Sequence, residues 1–201
     1  MSAREDILQS IRSRKPSAVP RPPVYARGSS GDFLERFVAR ASEANTTVHV
    51  LDRLEDVPAF AAQLLRERNL AATVHLLPKG ELNGLDWGAV DVSDLAPGPD
   101  DTAVSFAPYG VAETGTLVYP SSAERPASWH FRPGFEIAVL RTENILADIE
   151  SAFAKLRGNW PATINLVTGP SRTADIEQTL ELGAHGPKAL AILLIRTRPT
   201  D

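Results

Sequence analysis

Residues 168 to 177, TGPSRTADIE, gather groups suited to holding an anion. Gly169 permits close backbone approach, Ser171 and Thr173 offer hydroxyls, and Arg172 can grip a carboxylate or phosphate through two parallel hydrogen bonds. The segment leaves the apolar run TINLV, turns through Gly169 and Pro170, and reads as a helix opening at Ser171 or Thr173, whose free amides would face the same anion. The plain alternative is an ordinary capped helix, with Asp175 and Glu177 already complementing its positive end; spacing alone leaves both open. A second cluster, Glu113, Thr114, Gly115 and Thr116, precedes a strand. A carboxylate beside a glycine can act as base or nucleophile where substrate approaches, and the alternative is a turn with a solvated acid.

The histidines divide by context. His130 and Arg132 share the loop SWHFRPGF, which reads either as a lid or as an amphipathic connection. His185, in GAHGP, marks the end of the helix expected after Ser171, roughly 14 Å from Arg172 along its axis. His49 and His75 lie between apolar neighbours in strand-like runs and read as structural. No HxH, HExxH or clustered carboxylates support a metal site, and neither GxGxxG nor GxxxxGK[ST] occurs. With 0 cysteines, the chain has no disulfide, thiolate nucleophile or cysteine-ligated iron–sulfur cluster of its own. Any electrons moved would be held by another chain or a diffusible cofactor.

These groups need a scaffold, and the composition supplies one. Of 201 residues, 43% are hydrophobic and 23% charged, so a buried core is expected. A formal charge of −4 argues against a polyanion-binding surface. MSAREDILQSIRSRK lacks the apolar core of a signal peptide, which sets the expectation of a cytoplasmic protein. The longest apolar run, Ala189 to Ile195, is strand-sized, so no membrane span is expected. Ile7, Leu8 and Ile11 sit at helical spacing ahead of Pro16, Pro20, Pro22 and Pro23, predicting a helical arm on a stiff tether over 1–30 and a globular domain over 31–201.

Within that domain, Phe33, Leu34, Phe37, Val38 and Ala41 predict a helix capped by Asp32. Thr46 to Leu51 reads as a strand, Val57 to Asn69 as a helix and Ala71 to Leu77 as a strand. Residues 78 to 101 read as irregular, with a brief strand near Ala89 to Val92. Strands follow at Ala103–Ala107, Gly115–Tyr119 and Phe135–Leu140. Thr142 to Leu156 then reads as one helix on the stripe Ile145, Leu146, Ile149, Ala152, Phe153 and Leu156. After it come a strand at Thr163–Thr168, a helix at Ala174–Leu182 and a strand at Ala189–Ile195. The alternation predicts the α/β class: three layers, with a mostly parallel sheet flanked by helices.

AETGTLV at 112–118, together with TGPSRTADIEQTLELGAHGP at 168–187, resembles the LUD-domain family, and the likeness extends over nearly the whole chain. The resemblance implies a fold similar to the sugar-phosphate isomerase and CoA-transferase superfamily. It further implies a part in the oxidation of L-lactate to pyruvate, beside partner proteins that carry the iron–sulfur clusters. This chain would then carry no cofactor and would bind a small carboxylate or phosphate. The family motifs fall on Ala112 to Thr116, on Gly169 to Asp175 with Glu177, and on Gly183, His185, Gly186 and Pro187. By analogy with the Glu-x-Gly turn of CoA transferases, Glu113 and Gly115 would line an acyl-handling pocket. Residues 121–134 depart from the family pattern. Two other readings remain: a stand-alone acyl-transfer or cyclo-ligase-like enzyme with a reactive Glu113, and a non-catalytic assembly module docking through residues 1–30.

Overall fold

The computed structural model describes residues 3–14, 31–174, 180–182 and 186–196, with the backbone alone at 172–174 and 180–182. The chain divides into two units, Met1–Ser30 and Gly31–Asp201. The first contains helix α1 (Ala3–Ser13), with Glu5 and Asp6 in its first turn and Arg12 in its last, each sign favoured by the helix dipole. The proline tether and His185 lie outside the described residues.

The second unit is built on a parallel sheet. Its strands are β1 (Thr47–Leu51), β2 (Thr73–His75), β3 (Asp91–Ser93), β4 (Thr102–Phe106), β7 (Phe135–Arg141) and β12 (Ala189–Ile195), in the order β1-β12-β7-β4-β2-β3. The central strands read FEIAVLR and ALAILLI because both of their faces are covered. Helix α3 (Val57–Glu67) packs Val57, Ala61, Leu64 and Leu65 on one face, against Val74, Ile137, Val139 and Leu193. Helix α2 (Phe33–Glu43) puts Phe37 and Ala41 on the other, against Ala138, Leu140, Ile192 and Leu194. Asp32 caps α2 as its position suggests, accepting from the amides of Leu34 and Glu35.

A second, four-stranded sheet completes that face: β5 (Tyr109–Val111), β6 (Thr116–Pro120), β8 (Ile145–Leu146) and β9 (Ile164–Val167), ordered β8-β5-β6-β9. Leu117 and Tyr119 of β6 join the α2 core, while Val111 and Val118 face away and meet Ala152 of α4 (Ile149–Lys155). Among the described residues, no helix is long and apolar enough to cross a membrane.

Three expectations are corrected here. The helix expected over Thr142–Leu156 is a 3-10 turn at Thr142–Asn144, then β8, then α4, because Ile145 and Leu146 pair in parallel with Gly110 and Val111 and Asp148 starts a new helix as its cap. The strand expected at Thr163–Thr168 is β9, which lies outside the parallel sheet and runs antiparallel to β6, with Leu166 exposed. The described residues of the helix expected at Ala174–Leu182, Ala174 and Leu180–Leu182, are in strands. Strands β10 (Arg172–Ala174) and β11 (Leu180–Leu182) pair antiparallel instead, with Arg172 opposite Leu182. No helix therefore opens at Ser171 or Thr173 to offer its amides, and the Ser171 amide donates to the Pro187 carbonyl.

Candidate functional site

Both motif turns press their backbones on the last turn of α2. Gly115 has φ +67° and Gly169 φ +76°, the left-handed region that glycine enters without strain. A Cβ on Gly115 would collide with the Ala41 amide and the Arg40 carbonyl carbon, and one on Gly169 with the Ala44 carbonyl oxygen. The two turns are thereby brought side by side. Thr114 Oγ1 lies 2.6 Å from Thr116 Oγ1, which lies 2.7 Å from Thr168 Oγ1, so one hydroxyl chain runs from the first motif into the second.

Thr168 in turn borders a small cavity of about 170 Å³, walled by Gly169, Ser171, Gly186 and Pro187 and bounded on the other side by His130 and Phe131. The structure thus brings together Gly169, Ser171 and His130, with Thr114 and Thr116 reaching the same wall through hydroxyls. Gly115 serves the fit to α2. Glu113 is half-buried, its amide donating to the Ala147 carbonyl, and it is not part of that wall. Arg132 is exposed. The side chains of Arg172 and Thr173 lie outside the described residues, like His185.

His130 lies on the buried side of the connection from β6 to β7, whose Phe131 and Arg132 are exposed, so the amphipathic reading fits and the lid does not. It is 1% exposed, stacked on Tyr119 with ring centroids 3.7 Å apart, and its Nδ1 lies 2.7 Å from Glu136 Oε1. The same oxygen accepts from Ser105 Oγ at 2.7 Å and from the Tyr119 hydroxyl at 3.4 Å, and the two hydroxyls lie 3.0 Å apart. Burial, reinforced by the neighbouring Glu136, holds the Tyr119 hydroxyl well above the ordinary phenol range, so it stays a neutral donor. Glu136 Oε2 and His130 Nε2 are buried with no hydrogen-bond partner among the described residues. A carboxyl with an unused oxygen beside an imidazole with an unused nitrogen is equipped to take or give a proton.

Ser105, Tyr119 and Glu136 carried no motif. The available signal was a glutamate inside FEIAVL, a run otherwise fit for a strand buried on both faces; such a residue must be paired. Ser105 also lines a crevice of about 400 Å³ at the carboxyl ends of β2, β4 and β7, where parallel α/β sheets collect ligands. The buried groups therefore run from the crevice at Ser105 to the small cavity at His130. Among the described residues no cluster of three or more His, Asp or Glu could hold a metal.

Residues 100–195 match the family model described as the LUD domain. The chain is 29% identical to protein NMB1437 of Neisseria meningitidis serogroup B, over 97% of this chain and 94% of that one. It is 29% identical to protein YkgG of Escherichia coli, over 78% and 71%. It is also 34% identical to lactate utilization protein C of Bacillus subtilis, over 49% of this chain and 43% of that relative, so this match spans less than half of the relative's length. A crystal structure of a DUF162 family protein from Deinococcus radiodurans superimposes with a TM-score of 0.60, at 18% identity, over 85% of this chain and 99% of that one, which shows the shared fold. The segment matched by the family model contains both motif turns, Ser105, His130 and Glu136, and over those residues the chain is similar to the LUD-domain family.

Proposed function

We propose that the chain serves a lactate utilization system as a ligand-holding subunit. It binds a small carboxylate such as L-lactate or pyruvate in the cavity between the second motif turn and His130. One observation carries the reading: a cavity of about 170 Å³, suited to a small acid, is where the motif segments meet, and its walls offer the Thr168 and Ser171 hydroxyls beside a buried imidazole. Arg172, next in sequence, supplies the cation for the carboxylate in this reading. Relatives named lactate utilization protein C support the assignment to lactate utilization. With 0 cysteines this polypeptide holds no cysteine-ligated iron–sulfur cluster, and in this reading the electrons of the oxidation pass to iron–sulfur partner proteins.

Calorimetric titration of the full chain with L-lactate, pyruvate and inorganic phosphate tests the ligand. Saturable binding is expected, and Ser171→Ala and Arg172→Ala should each weaken it about tenfold or more. Unchanged affinity in Arg172→Ala removes that residue from the site, and the absence of saturable binding to all three anions overturns the ligand assignment. The partner assignment stands on purification from cells: proteins bearing iron–sulfur clusters should accompany the chain, and lactate oxidation by the extract should require it.

A further inference from the structure

The crevice at the strand ends differs in size and charge from the small cavity. At about 400 Å³ it far exceeds the needs of a three-carbon acid. Its walls carry two cations, Lys79 and Arg125, against one carboxylate, Glu81, which Arg141 already binds. Among the described residues, the Arg125 guanidinium has no hydrogen-bond or ion-pair partner, and its field reaches the Tyr119 hydroxyl beneath the crevice. A guanidinium without a partner at a strand-end crevice is suited to a carboxylate or phosphate.

Beside the crevice lies a second space of about 390 Å³, sharing Leu77 and Lys79 with it. Here the walls are largely apolar, with Leu77, Pro78, Ala96, Ala123, Pro126 and Trp129, and the charged residues among them are Lys79, Asp94 and Glu124. Trp129 is 4% exposed, and its indole N–H is buried with no acceptor among the described residues. Consecutive residues tie the two spaces together, since Glu124 and Pro126 face the slot and Arg125 faces the crevice. The partition at the mouth is the Lys79–Glu124 pair, 3.8 Å apart with side chains 77% and 59% exposed, which a ligand displaces at little cost.

We propose that crevice and slot form one binding site, separate from the motif cavity, for a molecule that joins an anionic head to a flat apolar ring system. The head meets Arg125 and Lys79. The ring lies in the slot against Trp129. Two sources share this chemistry, a phosphorylated ring cofactor and an aromatic acid, and the segment 121–134 supplies Ala123, Glu124, Arg125, Pro126 and Trp129 to the walls.

The minimal probe is 1-naphthyl phosphate, titrated calorimetrically into the full chain, with 1-naphthol and inorganic phosphate as its two halves. The whole probe should bind at least tenfold more tightly than either half. Arg125→Met should bring it down to the naphthol level, and Ala96→Trp, which fills the slot from an exposed wall position, to the phosphate level. Circular dichroism of both variants confirms that they fold. Flavin mononucleotide displacing the probe identifies the cofactor source; flavin failing while 3-phenyllactate displaces it identifies the aromatic acid, and either result supports the site. Probe affinity no better than that of phosphate, or unchanged in both variants, overturns it. L-lactate should leave probe binding unaltered, so a chain that binds the probe and no lactate refutes the motif-cavity reading alone.

Discussion

The molecule keeps polar groups in two places that obey opposite rules. At the motif turns, Thr114, Thr116 and Thr168 form a partly buried rim on backbone pressed against α2, and the glycines exist to allow that pressing. Around Glu136, four side chains from β4, β6, β7 and the 3-10 turn at Ala127–Phe131 are sealed in the core, at 0–1% exposure. The first region is marked by a contiguous motif and is explained largely by packing. The second has no contiguous motif and holds the groups best equipped for proton chemistry. A sequence motif thus reports where the backbone is constrained, and chemistry can be assembled beside it from residues scattered through the chain.

The sharpest way to break this comparison is to give the motif glycines a side chain. Gly115→Ala and Gly169→Ala each combine a left-handed backbone with a clash against α2 backbone, so each should destabilise by about 4 kcal/mol, the sum of an overpacking and a strain cost. Urea unfolding measures it. A loss under 1 kcal/mol would mean that the turns are not held on α2 and that the glycines answer to a ligand instead.

Next in size come the core groups. Glu136→Gln keeps the shape but loses the full acceptor capacity offered to Ser105 and His130, at about 2 kcal/mol. Ser105→Ala should cost about 1 kcal/mol, and the double variant less than the sum, because one substitution weakens and the other removes the same 2.7 Å hydrogen bond. Strict additivity in the cycle would show that Ser105 and Glu136 act independently, and would cut the connection between crevice and cavity.

The parallel sheet was legible because its central strands are buried on both faces, and a run such as ALAILLI admits little else. α2 and α3 were legible because one apolar stripe meets one sheet. The segments misread as helices failed for a physical reason. In residues 142–156 the stripe is real, yet Ile145 and Leu146 satisfy their backbone on β5, and only the residues after Asp148 coil. Ser171 and Thr173 look like helix caps, but Ser171 gives its amide to Pro187 and residues 172–174 pair with 180–182. Local propensity is overruled wherever a distant strand offers a partner. At the site, the sequence picked out Ser171, Gly169 and His130 but not Glu136, whose meaning depends on Ser105, Tyr119 and His130 arriving from 6 to 31 residues away.

Tyr119 gives a pH-dependent probe of the buried region. Its hydroxyl is held above its ordinary value of about 10 by burial and by Glu136, so the folded state resists its ionisation while the unfolded state does not. The stability this contributes is complete below about pH 10 and is lost as pH rises above it toward the folded value. Tyr119→Phe should therefore cost about 1 kcal/mol at pH 8, through its hydrogen bonds to Ser105 and Glu136. Each further pH unit above 10 penalises only the native chain, by up to about 1.4 kcal/mol, so the variant should draw level near pH 11. Urea unfolding at both pH values decides it; a constant gap would place Tyr119 in contact with solvent.

The smallest effect belongs to α4, which covers the outer face of the second sheet and touches neither polar region. Asp148 caps it, accepting from the Ser151 amide at 2.8 Å, and hydrogen bonds from the Ser151 hydroxyl and amide hold its carboxyl below the usual value. Asp148→Ala should cost about 1 kcal/mol at pH 7. Because the folded value is the lower one, that contribution is present above pH 4 and disappears as pH falls through it, so variant and native chain should converge in acid. Lactate and naphthyl phosphate affinities should be unmoved by this substitution. A change in either would tie the outer face of the second sheet to the sites on its inner side, and the division between packing and chemistry drawn across this molecule would have to be moved outward to α4.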